Sequence, residues 1–159
     1  MAYTMKVEGL EELSKQLNKL GEKAGGIAAR GLYEGAGVMS EEINKAADGI
    51  KTEPFHYAVF VTREPSPEEK AVVQAGSAGI AKFDRNGSEV NTAVGYARAG
   101  YAYLAGKKVP IPKIANAINS GTSFMKKQPF FRKAVSSGTG KASEKIIKKI
   151  EEDIDEITK

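Results

Sequence analysis

An α+β fold, with long N-terminal helical segments and a C-terminal helix packed on a small antiparallel β-sheet, is what three observations on the 159-residue sequence predict. Leucines at positions 10, 13, 17 and 20 recur every three or four residues. Isoleucines at 147, 150, 154 and 157 do the same near the other end. Between them the apolar period shortens to two on either side of Asn86-Gly87, the signature of a hairpin. With 41% hydrophobic residues the chain is long enough for one core and too short to suggest two. A single domain over 1–159 is therefore expected, with about 138–159 as a C-terminal helix available as an interaction arm.

Taken in order, residues 3–8 read as a short strand or an extended lead-in. From about 10 to 22 the leucines make one helical face apolar, while Glu11, Glu12, Lys15, Lys19 and Glu22 stay wet. Interior glycines cost roughly 1 kcal/mol each relative to alanine, so Gly21, Gly25 and Gly26 predict a kink or break near Gly25. Helical spacing resumes through Ala28, Leu32, Gly35, Met39 and Ile43, giving a second helix, or a continuation of the first, over about 27–47. Gly31 and Gly35 offer a smooth face there to another backbone. The aromatic and β-branched run 57–62 predicts a strand. Ser66-Pro67-Glu68-Glu69 combines a capping serine, a proline at the first helical position and first-turn acids, which predicts a helix over about 67–75.

Ile80-Ala81-Lys82-Phe83 and the run 89–96 flank the Asp84-Arg85-Asn86-Gly87 turn as the arms of a hairpin. Residues 98–109, with Gly100, Gly106, Tyr101 and Tyr103, read as a loop. Pro110-Ile111-Pro112 opens a short helix with Ile114, Ala115 and Ile118 on one side and Gly121 in the C′ place. A helix restarts at Pro129, Ser136-Ser137-Gly138-Thr139-Gly140 interrupts it, and a last helix covers about 141–157. Two heptads of isoleucine are too short for a coiled coil to be asserted, and the stripe is expected to pack on this fold or on an adjacent subunit.

Composition narrows the chemistry. There is no cysteine, which excludes disulfides, thiolate zinc sites and thiol nucleophiles. No apolar run approaches a bilayer span and the N-terminus lacks the apolar block of a secretory signal, so a soluble chain made in the cytosol is expected. The single histidine, His56, has no second histidine for a metal and no conspicuous serine to activate. Gly138-Thr139-Gly140-Lys141 is not a phosphate loop, since Val135 and Ala142 stand where that motif needs glycine and Ser/Thr. Paired carboxylates such as Glu41-Glu42 and Glu68-Glu69 lie on polar helix faces. The expectation is a protein with no cofactor, no metal and no catalytic residue.

Charge is unevenly placed. Net charge is −3 over residues 1–89, +9 over 90–143, where there is no acid at all, and −2 over 144–159. The acid-free segment should create a positive surface that attracts phosphate, acidic protein faces, or both, with Lys107, Lys108, Lys113, Lys126, Lys127 and Lys133 as the contacts. It also interleaves Tyr96, Tyr101, Tyr103, Phe124, Phe130 and Phe131 with its cations, the mixture single-strand binders use. A basic cytosolic nucleic-acid-binding protein using residues 90–143 is accordingly one reading of the chain.

The stretch from Gly121 to Ala134 constrains function most tightly. A Gly121-Thr122-Ser123 turn leads to basic residues, then to Gln128-Pro129-Phe130-Phe131-Arg132-Lys133-Ala134. One of Phe130 and Phe131 can face the core, and the other must look sideways to a neighbouring segment or a partner chain. An ordinary loop-to-helix junction is the plainer reading. In the order Val7-Glu8-Gly9-Leu10-Glu11-Glu12-Leu13, Gly31-Leu32-Tyr33-Glu34-Gly35-Ala36, Ala115-Asn116-Ala117-Ile118-Asn119-Ser120-Gly121-Thr122-Ser123 and Gln128 to Ala134, the chain resembles the tail-completion or head-to-tail joining proteins of tailed bacteriophages. Members commonly show a V-x-G-L-x-x-L opening, a G-T-S turn, a P-F-x-R-x-A helix start and a charged final helix. Where many relatives carry a T-G-x-L-x-x-S segment, this chain has Thr52-Glu53-Pro54-Phe55-His56-Tyr57.

The resemblance implies a structural virion protein without catalysis, first in the host cytoplasm and then in the virion. Copies would form a homo-oligomeric ring at the neck, between the head connector and the tail-tube or terminator proteins, with DNA an optional neighbour in the lumen and no membrane involved. Expected interface residues are Gly121, Thr122, Ser123, Gln128, Pro129, Phe130, Phe131 and Arg132, together with Ile147, Ile150 and Ile154 of the final stripe.

Overall fold

The computed structural model describes residues 10–52, 63–76, 78–86, 89–97 and 100–159. Its frame is a pair of long helices, α1 (Leu10–Asp48) and α4 (Phe130–Thr158). They run antiparallel, since Glu42 meets Lys141, Gly31 meets Ile150 and Arg30 meets Asp153. At about 1.5 Å per residue, the 39 residues of α1 span about 58 Å. Between them come α2 (Pro67–Ala75), three two-stranded antiparallel ladders, and α3 (Ile111–Ser120). The mixed architecture expected from the sequence is thus present, with the β-structure divided into small pieces. The strand expected over 57–62, the lead-in 3–8 and His56 lie outside the described residues.

Two expected breaks do not occur. α1 runs on through Gly21, Gly25 and Gly26, and α4 runs on through 136–140. Gly21, Gly25, Gly26 and Gly140 are carried in the helices without making that contact themselves, while Gly31, Gly35 and Gly138 let the two helices approach closely. A Cβ on Gly31 would lie 2.8 Å from Ile150 Cγ1, one on Gly35 would run into Ile146, and one on Gly138 would lie 2.9 Å from Met39 Sδ. Close packing of this kind offsets the propensity cost of glycine. The serine and threonine of the second segment also find local acceptors: Ser137 Oγ donates to Glu42 Oε2 and Ala134 O, and Thr139 Oγ1 donates to Val135 O. Hydroxyls satisfied along the helix leave its ladder intact.

α2 begins as its sequence predicts. Ser66 Oγ accepts from the Glu69 N–H while the Glu69 carboxylate accepts from the Ser66 N–H, a complete capping box ahead of Pro67. Val73 is its buried residue.

The hairpin about Asn86 is present in two parts. β1 (Gly79–Ile80) pairs with β4 (Val94–Gly95), and β2 (Asp84–Asn86) with β3 (Glu89–Asn91). Between Ile80↔Val94 and Asp84↔Asn91 three residues oppose two, so a bulge separates the ladders. Asn86 pairs with Glu89, which moves the connection one residue beyond the expected Asn86-Gly87 turn.

Residues 98–109 are not all loop. Tyr101–Leu104 (β5) and Lys107–Pro110 (β6) pair, with Ala105 (φ 47°) and Gly106 (φ 75°) as the connecting residues. Two positive φ values in a two-residue loop match the twist of the flanking strands. An alanine in that conformation hid the turn from the sequence.

One core sits where α1 ends and α4 begins. Ile43, Ala47 and Ile50 meet Val73, Ile114, Ala115, Ile118, Met125, Phe130 and Ala134, with Tyr96, Leu104, Val109 and Phe131 packed around them. Ser40 Oγ and Asn44 Nδ2 donate to Ala78 O, and Asn44 Oδ1 accepts from Ala78 N–H, which ties the start of the ladders to α1. Away from this core the leucine face of α1 is not buried as its periodicity predicts: Leu13 and Leu17 are 55% and 59% exposed. Among the described residues, their end of α1 has the tip of α4 beside it.

Candidate interaction surfaces

The junction 121–134 is built by backbone constraints. Gly121 (φ 77°) ends α3 with its N–H on Ala117 O, and a Cβ there would lie 3.0 Å from Lys127. Thr122 Oγ1 accepts from the N–H groups of Phe124 and Met125 (3.2 and 3.0 Å), closing a tight turn. The turn sends Met125 into the core and leaves Phe124 75% exposed. Arg63 holds the other side of the segment: its N–H donates to Phe124 O at 2.9 Å and its carbonyl accepts from Lys126 N–H at 2.7 Å. The Arg63 guanidinium in turn forms a fork on Glu69, at 2.7 and 2.6 Å. Burial pushes the Glu69 carboxyl up, and the fork together with the Ser66 N–H outweighs it, leaving the group below its ordinary range. The same fork raises Arg63.

Gln128 clamps a distant strand of chain. Its Oε1 accepts from Lys51 N–H and its Nε2 donates to Lys51 O, both at 2.8 Å, while its own N–H donates to Ile118 O. Pro129 occupies the N-cap and α4 starts at Phe130, one residue later than the sequence predicts. Phe130 is the core aromatic. Phe131, edge-on to it at 6.4 Å, is half-buried, and its N–H donates to Asn119 Oδ1. Beside Phe131 opens a cleft of about 240 Å³ lined by Tyr96, Pro112, Asn116 and Asn119. The Tyr96 hydroxyl is buried with no hydrogen-bond partner among the described residues, and burial pushes it up to about 12.

Of the expected interface residues, Gly121, Thr122, Gln128, Pro129 and Phe130 therefore shape the junction inside the chain. Ser123 and Arg132 face solvent, and Phe131 lies between these cases. The most exposed aromatic of the segment is Phe124, which the sequence reading placed only among the aromatics of the basic region. The signal was available, because an apolar pair directly after a tight turn cannot send both side chains inward.

The positive region is a real surface. Lys107, Lys113, Lys126, Lys127, Arg132 and Lys133 are exposed, and none forms an ion pair among the described residues. Lys108 Nζ lies 4.4 Å over the Tyr101 ring. Lys141 is the cation of this segment that meets an acid, Glu42 at 2.7 Å, and its hydrogen bond with that of Ser137 holds Glu42 low.

On the arm, the isoleucine stripe is split. Ile150 packs on Gly31, Ile154 is half-buried and Ile147 is 55% exposed. Asp153, only 3% exposed, bridges Lys149 (3.0 Å) and Arg30 (2.6 Å), which hold it low. Among the described residues, no three of His, Cys, Asp and Glu converge as metal ligands, and no helix is long and apolar enough to cross a membrane. Comparisons with protein-family models, curated proteins and solved structures returned no match.

Proposed function

We propose that the chain is a structural virion protein of a tailed phage or prophage, a ring subunit at the neck that joins the head connector to the tail. The observation that carries this reading is the order of motifs along the chain, from the Val7-x-Gly9-Leu10 opening through Gly121-Thr122-Ser123 to Pro129-Phe130-Phe131-Arg132 and a charged last helix. The surfaces support it. Unpaired cations on the 100–133 side, an exposed Phe124 and a half-exposed Phe131 are what a subunit needs to meet acidic faces on its neighbours. Such contacts assemble fast and weaken with salt.

Mass spectrometry and electron microscopy of purified virions test the assignment. The chain should be found at the neck, and its absence from particles would overturn the reading. Phe131→Ala and Arg132→Glu should leave filled heads and tails unjoined, whereas normal infectious particles from both variants would remove the assigned interface.

A specific geometry favours a second reading, nucleic-acid binding. Tyr101 and Tyr103 stand two apart on β5, both exposed; Tyr103 pairs with Lys108 of β6, whose Nζ lies over the Tyr101 ring. Fluorescence anisotropy with single-stranded oligonucleotides separates the two. Micromolar or tighter affinity with a steep salt slope supports binding, and a flat titration at low salt disposes of it.

A further inference from the structure

Where α1 and α4 close on each other, their charged flank and Phe83 border a cleft of about 370 Å³. Arg30, Tyr33 and Glu34 stand at i, i+3 and i+4 and so share one face of α1. Ile150 on Gly31 and Ile146 on Gly35 hold α4 against that helix, which brings Lys149 and Lys145 alongside. One end of the cleft is cationic and fixed in place: buried Asp153 takes Arg30 Nε on one carboxylate oxygen at 2.6 Å and Lys149 Nζ on the other at 3.0 Å. Two cations around one carboxylate leave a net positive charge. With Nε committed, the terminal guanidinium nitrogens have no partner among the described residues, and the Arg30 side chain is 54% exposed. Glu34 is the acid on the cleft wall, and Lys145 Nζ at 3.8 Å balances it. The remaining wall is aromatic. Tyr33 and Phe83 have ring centroids 6.3 Å apart, tilted by 47°, yet Tyr33 stays 56% exposed.

We propose that this cleft binds a nucleotide, with its phosphate on Arg30 and Lys149 and its base against Tyr33 and Phe83. Charge and shape select the class. The uncommitted edge of a guanidinium offers N–H donors in a fork that matches phosphate oxygens, and Lys149 adds a point charge beside it. Stacking on an open aromatic ring tolerates any base. An acidic protein side chain would use the cations and leave both rings bare, and an apolar one would do the reverse. A molecule carrying both a flat ring and an anion uses the whole cleft, whose volume falls in the range of about 300–1,000 Å³ typical of small-ligand sites. Glu34 supplies an acceptor for an exocyclic amino group or a ribose hydroxyl. The nucleotide can arrive free or as the end of a single strand, since the recognising chemistry is common to both. The inference rests on neither the neck reading nor the tyrosines of β5, because the lining residues are Phe83 and side chains of α1 and α4.

Isothermal titration calorimetry with the adenine, guanine, cytosine and uracil nucleoside 5′-monophosphates, and separately with adenosine and inorganic phosphate, tests the site. At least one nucleotide should bind one to one with a micromolar to submillimolar Kd, and adenosine and phosphate should each bind at least about tenfold more weakly. Failure of every nucleotide to bind overturns the proposal. So does phosphate that binds as tightly as the nucleotides, which would reveal a surface cation only. Tyr33→Ser removes an exposed ring, and Arg30→Lys keeps a cation on Asp153 while losing the fork. Both variants should keep the wild-type circular dichroism and weaken binding roughly tenfold, and full affinity in both refutes the assigned contacts. Nuclear magnetic resonance places the ligand without any substitution: amide shifts should move around Arg30, Tyr33, Phe83 and Lys149, whereas shifts confined to 100–133 overturn the site. Competition then names the source. Displacement of the bound nucleotide by a short single strand with a terminal phosphate identifies the strand end, and retention identifies the free nucleotide; either result requires the cleft to be occupied.

Discussion

The same substitution at two glycines of one helix should have opposite effects. Gly25 and Gly35 both lie inside α1, but a Cβ on Gly25 meets nothing within 4 Å, whereas one on Gly35 runs into Cγ1 and Cδ1 of Ile146 and comes 3.2 Å from Ala142 O. Alanine gains about 1 kcal/mol over glycine in a helix interior, and that gain is common to both sites. Gly25→Ala should therefore stabilise by about 0.5–1 kcal/mol. At Gly35 the added methyl is an overpacking change costing about 1–3 kcal/mol, so the net effect is about zero to 2 kcal/mol of destabilisation. Because propensity cancels, the difference between the variants measures the approach of the two helices. It should be about 1–3 kcal/mol in urea melts, or several degrees in Tm at roughly 2–4 °C per kcal/mol for a chain of this size.

A shaved partner gives the internal control. Ile146→Val removes one of the clashing carbons, so Gly35→Ala should cost less in that background than in the wild type. If Gly25→Ala and Gly35→Ala raise stability alike, α1 and α4 do not meet at Gly35, and the account of why the expected breaks are absent fails with it.

Further predictions follow from other parts of the chain. Phe130→Ala empties the centre of the core and should cost about 3–5 kcal/mol, read by denaturant unfolding. Gln128→Leu leaves both backbone groups of Lys51 without their partner and should cost about 1–3 kcal/mol, with faster hydrogen exchange at Lys51 as the local readout. Ala105→Asn relieves an alanine held at φ 47° and creates an Asn-Gly turn, so stability should rise by about 1 kcal/mol. Glu69, Asp153 and Glu42 are all held below their ordinary values of 4.5, 3.8 and 4.5. The unfolded chain thus binds more protons in acid, so stability is fully present above those values and is lost as pH falls below them. Urea melts between pH 7 and pH 3 should show that decline, and Glu69→Gln should reduce it.

How much of this was legible in the sequence depended on whether a residue's neighbours were close in the chain. The capping box at Ser66, the side of α3 bearing Ile114 and Ile118, and the glycine that ends α3 are local devices, and each stands where the sequence placed it. Apart from the turn at Ala105, the errors concern residues whose partners are distant. Gly138 looks like a break when read alone and becomes a contact point only when Met39 is placed against it, whereas Gly31 and Gly35 are the smooth face the sequence predicted. Gln128 reads as an interface residue until Lys51, 77 positions away, supplies its partners.

The junction teaches the same lesson for the candidate surface. A motif distinctive enough to single out in the sequence contains residues held in place by the chain's own interior, because tight turns, caps and clamps restrict residue type more strongly than an open surface does. Thr122 and Gln128 are restricted by backbone groups they bind, and Phe130 by the core it fills. What such a scaffold presents is set by its neighbours: Phe124 is pushed outward because Met125 goes in, and Arg132 and Lys133 face solvent because Phe130 and Ala134 on the same helix are buried. A partner would therefore read Phe124, Phe131 and the cations, while the residues that make the stretch recognisable act through the position they give those groups. Substitutions separate the two roles. Thr122→Val should lower stability by releasing the Phe124 turn, whereas Phe124→Ser and Lys126→Glu should leave unfolding within about 0.5 kcal/mol of the wild type and change only association.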